Sequence, residues 1–373
     1  MKRYTRLLTQ FDWVLAVAVF VLLVLGFSAL YGIGLVSSPP DFTNVTKQFV
    51  ALGIGLVLGV MLMFWNYKQL RSYAGTLFAL GATLLLSVFL FGVTRRGTTG
   101  WFDLGVVDVQ PVEFAKIILV IALAAIFAKR SRRYMGWREL VATGVPVAVY
   151  AGLVMLQPDF GSAALMIGVW GMMVLFAGLN KKIVAILAGG GVLASLAAWF
   201  VVFQDFQKNR ILTFLNPDLD PLGQGYNVTQ AKIAIGAGRL FGRGLGLGSQ
   251  SQLKFLPEAQ TDFIFASIAE ELGFVGIVLL LTAFGVIFWR LWILLRNSRD
   301  EFSAFLVVGL GTLLFLQMFV NIAMNLGLMP VTGLPLPFVS YGGTSLLASL
   351  IIFGIIASVS LRTPINRNAT SSV

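Results

Sequence analysis

The chain contains no cysteine and no histidine. Without cysteine there is no disulfide framework and no thiolate nucleophile. Without histidine there is no Ser–His relay, no imidazole-ligated haem and none of the usual zinc or copper sites. Chemistry is left to carboxylates, lysine, arginine, hydroxyls and amides, with Mg2+ or Mn2+ as the divalent cations that oxygen donors suit. Charge is scarce too. Only 12% of the 373 residues are Asp, Glu, Lys or Arg, about half the share usual in soluble domains.

What is present in abundance is apolar. Hydrophobic residues make up 58% of the chain and the mean hydropathy is +0.88. Runs of about 20 apolar residues recur along the whole length, each able to cross a hydrocarbon core of ~30 Å. The alternating segments of about 10 residues that mark a membrane β-barrel are missing. Ten spans are expected, at about 11–34, 45–65, 73–93, 112–128, 138–156, 160–178, 183–203, 263–289, 303–326 and 343–361. The fold class is therefore an all-α polytopic integral membrane protein. One domain covers 1–373, with a large loop of about 204–262 between helices 7 and 8. The opening MKRYTRLLTQFDW runs straight into the first span with no small-residue cleavage site, so that helix is expected to stay uncleaved.

Lysine and arginine set the orientation. One set of short loops holds Lys2, Arg3 and Arg6; Lys68 and Arg71; Lys129, Arg130, Arg132, Arg133 and Arg138; Lys181 and Lys182; Arg290, Arg296 and Arg299; and Arg362 and Arg367. By the positive-inside rule these loops and both termini are cytoplasmic. The net charge of +11 is then explained by basic loops against anionic lipid, with no call for nucleic acid. The outer face receives segments 35–44, 94–111, 157–159, 204–262 and 327–342, where the polar variety is concentrated.

Several outer segments offer chemistry. Asp262 lies where the polar stretch Gln252–Thr261 gives way to the eighth span, and a carboxylate at such a boundary is costly without a task or partner. Glu270 lies roughly 12 Å further along a regular helix, whereas glycosidase carboxylate pairs stand roughly 5–9 Å apart. A single base fits better than a hydrolytic pair, unless Asp159 or Glu113 approaches from another helix. Glu113 and Lys116 share one helix face at the membrane edge, either neutralising each other or facing a polar cavity. Asp159 either caps the sixth span or serves a site. Trp101 in RRGTTGWFDLGVVDVQ is an interfacial anchor or a site residue. Residues 226–241 have the pattern of an amphipathic helix lying on the membrane. The stretch GRGLGLG (242–248) lacks the preceding strand and following Lys-Ser/Thr of a phosphate loop and is expected to be a flexible hinge. The prolines and glycines of PVTGLPLPFVSYGGTS (330–345) predict irregular backbone, tolerated at membrane depth only where it lines a cavity; Ser340 and Tyr341 are its candidate lining groups.

Together QPVEFAK, QPDFGS, DPLGQGYNVTQAKIAIGAG, SQSQLKFLPEAQTDFIFASIAEELG and GLPLPFVSYGGTS resemble the SEDS family (shape, elongation, division, sporulation). The likeness spans the whole chain, nearest the RodA type with the FtsW type as the alternative. It implies a glycosyltransferase that polymerises lipid II into β-1,4-linked peptidoglycan strands at the outer face of the bacterial cytoplasmic membrane. By this resemblance Asp262 is the catalytic aspartate. Trp101, Glu113, Lys116, Gln157, Asp159, Lys232, Glu258 and Ser340 match motif positions lining the central cavity. Thr344 stands in a GGTS that in the family often reads GGSS. Positive charge on the departing pyrophosphate would come from Lys116, Arg210 or Lys232, or from a divalent cation. The implied partners are a class B penicillin-binding protein, the crosslinking transpeptidase, and the membrane proteins of the elongation complex. A lipid II flippase and a scaffold that only recruits a synthase are the rival readings.

Overall fold

In hydrocarbon a backbone must satisfy its own polar groups, so the apolar runs fold as helices. A computed structural model describes residues 11–36, 39–95, 98–103, 105, 108–129, 136–179, 181–201, 203, 205–216, 220, 223–248, 250 and 255–363. The basic residues Lys2, Arg3, Arg6, Arg130, Arg132, Arg133 and Arg367 lie outside them. Nine helices among these residues are long and apolar enough to cross a membrane. They are α1 (Trp13–Leu35), α2 (Thr43–Phe64), α4 (Ala74–Phe91), α5 (Pro111–Ala128), α6 (Trp137–Leu156), α7 (Phe160–Ala177), α11 (Ile264–Arg296), α12 (Glu301–Asn325) and α13 (Gly343–Arg362). The seventh expected span forms helix α8 (Lys181–Val201). Short α3 (Tyr67–Ser72) joins α2 to α4, and α9 (Asp205–Leu215) and α10 (Gln224–Ala237) build the large loop. The chain is thus a multi-pass membrane protein of the expected class.

Helices α5 and α13 are the most enclosed spans and form the centre of the bundle. The outer helices turn Phe20, Val57, Leu90 and Leu193 outward, where lipid replaces a protein partner. Lipid gives no hydrophobic drive to helix pairing, so close backbone approach matters more. A Cβ on Gly354 of α13 would stand 2.4 Å from the Gly59 carbonyl oxygen of α2; only glycine permits that contact. At the end of the bundle that gathers the basic loops, Arg290 pairs with Asp12 at 2.7 Å, tying the end of α11 to the start of α1. There too the Tyr67 hydroxyl donates to Asp300 at 2.7 Å. Burial, then that carboxylate, pushes the Tyr67 phenol up to about 12.

Three features differ from expectation. Segment 93–109 contains a small antiparallel sheet of β1 (Val93–Arg95), β2 (Thr98–Asp103) and β3 (Asp108–Val109), which pairs Arg95 with Thr98 and Asp103 with Asp108. Its threonines, Trp101 and Phe102 favour strands, but each strand is too short to show an alternating pattern. The eighth span is not one continuous helix: α11 breaks at Gly273, whose φ is 67°. Finally, the glycine-rich stretch is no hinge but the complement of that break. Arg243 and Gly244 donate their backbone N–H groups to the carbonyls of Glu270 and Glu271 at 2.9 and 3.0 Å. Phe274 and Val275 donate to the carbonyls of Arg239 and Leu240 at 2.9 and 3.1 Å. The carboxylate of Glu271 accepts from Gly246 N–H and that of Glu270 from Gln250 N–H. The four backbone bonds satisfy groups that the broken helix leaves without a partner, and the two carboxylates hold the stretch in place from the side. Helix α10 is present as predicted, with its small residues Ala231 and Ala234 buried in a cluster with Phe263 and Ala266 of the next segment.

Candidate active site

At the end of the bundle opposite the basic loops lies a cavity of about 270 Å³. Its walls come from six places in the sequence: Lys47 on α2; Thr98, Trp101 and Asp108 from the sheet; Pro158–Gly161 at the start of α7; Arg210 on α9; Thr261 and Asp262 before α11; and the coil and helix start spanning Thr332–Ser345. Four spanning helices, α5, α7, α11 and α13, begin at this cavity, with Gln110, Asp159, Asp262 and Gly342 all on its lining. Helix N-termini present unpaired N–H groups and positive dipole ends. Neither α5 nor α13 has a side-chain cap. These N-termini add positive potential to a lining that holds Lys47 and Arg210 together with the acids Asp108, Asp159 and Asp262.

Asp159 accepts from Ser162 N–H at 3.0 Å, capping α7, and it lines the cavity with Asp262. Arg210 interacts electrostatically with both carboxylates. Burial lowers its pKa, and Asp262 and then Asp159 oppose that shift; an arginine so placed remains a cation. Of the two acids that the sequence leaves open beside Asp262, Asp159 lines the same cavity and Glu113 does not.

Trp101, Asp159, Arg210 and Asp262 therefore meet on one cavity. Lys232 lines a smaller neighbouring cavity of about 30 Å³, with Arg210 in the wall between the two. The other expected residues lie behind or beside the lining. Glu113 and Lys116 form a buried pair at 2.7 Å inside α5. Gln157 is buried and donates to the Leu85 carbonyl at 2.9 Å. Glu258, exposed at φ 55°, accepts from the Thr261 hydroxyl at 3.0 Å and braces the turn before Asp262. Ser340 is buried, accepting from Leu336 N–H at 2.9 Å and donating to the Thr261 carbonyl at 2.7 Å.

Some contributors escaped the sequence reading. Gln48, buried near the start of α2, donates to the Ser340 carbonyl and accepts from Gly342 N–H, both at 3.1 Å. The Thr344 hydroxyl donates to the Asp108 carbonyl at 2.8 Å and accepts from Gln110 N–H at 3.1 Å, joining the sheet to the starts of α5 and α13. Their signal in the sequence is a polar side chain placed inside an apolar span.

The family model of FtsW, RodA and SpoVE cell cycle proteins matches residues 7–364. The chain belongs to this family. Among its relatives, the peptidoglycan glycosyltransferase MrdB of Escherichia coli K12 is 38% identical over 334 residues, 87% of each chain. Stage V sporulation protein E of Bacillus subtilis is 34% identical over 362 residues, 94% of this chain and 97% of that one. Among solved structures, a chain from a peptidoglycan synthase complex that coordinates polymerization and crosslinking superposes with a TM-score of 0.79. It is 34% identical and the match covers 95% of this chain and 98% of that one. The rod shape determining protein RodA of Thermus thermophilus gives 0.71 at 29% identity, covering 95% and 97%. Relatives named FtsW are similar at comparable identity, for example 36% over 363 residues in Alkalilimnicola ehrlichii. Identity thus places the chain in the family without separating its branches.

Proposed function

We propose that the chain is a peptidoglycan glycosyltransferase of cell elongation, polymerising lipid II at the outer face of the cytoplasmic membrane, with both termini inside. One observation carries this reading: Asp262 and Arg210 share a cavity onto which four helix N-termini open, at the end of the bundle away from the basic loops. The names of the relatives and the similarity to a chain of a synthase complex support it.

No ATP is expected outside the membrane, so the donor must arrive activated as a sugar on a lipid pyrophosphate. Asp262, as general base, takes the proton of the acceptor's 4-hydroxyl while that oxygen attacks the donor's anomeric carbon. The bond from that carbon to the pyrophosphate oxygen breaks, and undecaprenyl pyrophosphate leaves with the electron pair. Direct attack inverts an α donor linkage to a β-1,4 product. Arg210 and the helix N-termini stabilise the charge that grows on the leaving group. Trp101 offers the sugar rings an apolar face at the cavity wall. Among the described residues no three carboxylates gather closely enough to hold an ion, so a Mg2+ or Mn2+ held by Asp159 and Asp262 would need substrate phosphate oxygens and water to complete it. Such an ion would neutralise the departing pyrophosphate further. The partner implied is a class B penicillin-binding protein among the membrane proteins of the elongation complex, since polymerised strands must be crosslinked.

The test is purified protein in detergent with labelled lipid II, followed by gel analysis of glycan, with and without a chelator. The wild-type chain should make polymer. Asp262→Ala should lose about 10²–10⁴-fold in rate while keeping its thermal midpoint. Lipid movement across vesicles without polymer would favour a flippase, and full synthesis by Asp262→Ala would overturn the assignment of the base.

A further inference from the structure

Two asparagines at the C-terminal end of apolar helix α12 converge on a single carbonyl. Asn321 Nδ2 donates to the backbone oxygen of Asp262 at 3.1 Å, and Asn325 Nδ2 donates to the same oxygen at 2.9 Å. Both side chains are fully buried. A carbonyl has two lone pairs, and here both serve this pair.

The remaining bonds show what the pair does. In a regular helix the Asp262 oxygen would accept from Ala266 N–H, four residues on. Instead Ala266 N–H donates to Asn325 Oδ1 at 3.1 Å. The Asn325 carboxamide is inserted between them, taking the amide's proton at one end and satisfying the carbonyl at the other. Helix α11 consequently starts at Ile264, and Asp262 stands just outside it, on the cavity wall. Asn325 Nδ2 also reaches the Asn321 carbonyl at 2.8 Å. Asn321 Nδ2 also donates to the Leu334 carbonyl at 2.8 Å, fastening the coil whose Gly333 flanks the Asp262 carboxylate. A Cβ on Gly333 would lie 3.8 Å from Asp262 Oδ2. Asn321 Oδ1 is buried with no hydrogen-bond partner among the described residues. Leaving it so costs about 1–3 kcal/mol. An asparagine kept only for packing would not carry that cost, since leucine would fill the space without it.

We infer that Asn321 and Asn325 are positioning residues for Asp262: they replace its first helical hydrogen bond and so set the direction of its carboxylate. This rests on Asp262 being the base. A misplacement of about 1 Å at a reacting group costs about 10²-fold in rate.

The experiment is lipid II polymerisation by purified full-length protein carrying Asn321→Asp, Asn325→Asp or the smaller Asn321→Ser, which keeps a hydroxyl donor. Thr143→Val, which removes a buried hydroxyl bonded to Trp170 far along the bundle, serves as a stability control. The aspartate variants keep an acceptor for Ala266 but lose the donors to Asp262. Their kcat should fall by about 10–100-fold with KM within about twofold of wild type. The limb of the pH–rate profile that reports the base should move, and Asn321→Ser should recover part of the rate. Thr143→Val should lower the thermal midpoint and leave both the profile and kcat unchanged. Asn variants that match Thr143→Val in all three readouts would show a purely structural role and overturn the inference. So would aspartate variants that fail to fold alongside an Asn321→Ser that folds with wild-type kinetics. A dead Asp262→Ala beside wild-type-like Asn variants sinks this inference alone; a fully active Asp262→Ala sinks the catalytic reading and this one with it.

Discussion

Glu113 and Lys116 meet at 2.7 Å one turn apart in α5, with side chains 4% and 1% exposed. Each ion is expensive away from water, and each is tolerable because of the other. The i,i+3 spacing was readable in the sequence, and so was the choice it left open between a bundle pair and a cavity pair. The structure places both groups behind the cavity lining. Removing one partner strands the other charge. Glu113→Gln or Lys116→Met should therefore cost about 3–5 kcal/mol, seen as a lowered thermal midpoint and a smaller folded yield. The double replacement Glu113→Leu with Lys116→Met should recover most of the loss, because it removes the uncompensated charge along with the pair. Equal midpoints for single and double variants would mean that the two charges do not depend on each other. Asp262 was also legible, by its place at the end of a polar stretch. Asn321 and Asn325 were not. Amides carry no charge to stand out in a hydrophobic run, and their importance lies in a partner 59 to 63 residues away.

At the scale of elements, length and hydropathy placed nine of the ten expected spans to within about two residues, because a bilayer imposes both, while α11 runs to Arg296, seven residues past its expected end. They gave no account of the break in α11. That break depends on Glu270 through Gly273 meeting the stretch Arg239–Gly246 in space, and hydropathy averages over such an event. The small sheet was hidden for a similar reason, since its pairing is made across turns and not along a run. The break yields a sharp contrast between the two glycines that meet at it and one further along α11. Gly273 has φ 67°, and a Cβ there would be 2.2 Å from Gly242 N. Gly242 has φ 82°, with a Cβ 2.1 Å from the Glu271 oxygen. Gly285 lies further along α11 with open space around it. Gly273→Ala and Gly242→Ala should each destabilise strongly and reduce the recovery of folded protein in detergent. Gly285→Ala should be neutral or stabilising by up to about 1 kcal/mol, the helix-propensity difference. If all three alanine variants melt alike in a fluorescence thermal-shift measurement, the plugged break is not a fixed feature of the fold.

At the scale of the whole molecule, the cavity is a product of topology. Helices α5, α7, α11 and α13 each begin at the same end of the bundle, so their positive ends meet where Arg210 and the coil 330–342 close the space. No local stretch of sequence carries that convergence; it needs the order of the spans and their sidedness together. Sidedness is also what the proposed reaction depends on, because an activated lipid pyrophosphate is needed only where ATP is absent. The chain's lack of cysteine makes this directly measurable. A single cysteine at Pro257, exposed in the turn before Asp262, or at Lys68, exposed on α3 among the basic loops, gives one reactive group at each end. In intact cells stripped of their outer barrier, a membrane-impermeant maleimide should label Pro257→Cys at once. Lys68→Cys should react only after the membrane is opened. The reverse pattern would turn the cavity toward the cytoplasm, where nucleotide-activated sugars are available and the charge distribution over the loops would need another explanation. Labelling of both positions in intact cells would indicate a leaky preparation, which a cytoplasmic marker enzyme identifies. With that marker retained, labelling of Pro257→Cys alone puts Asp262 on the side where wall strands are built.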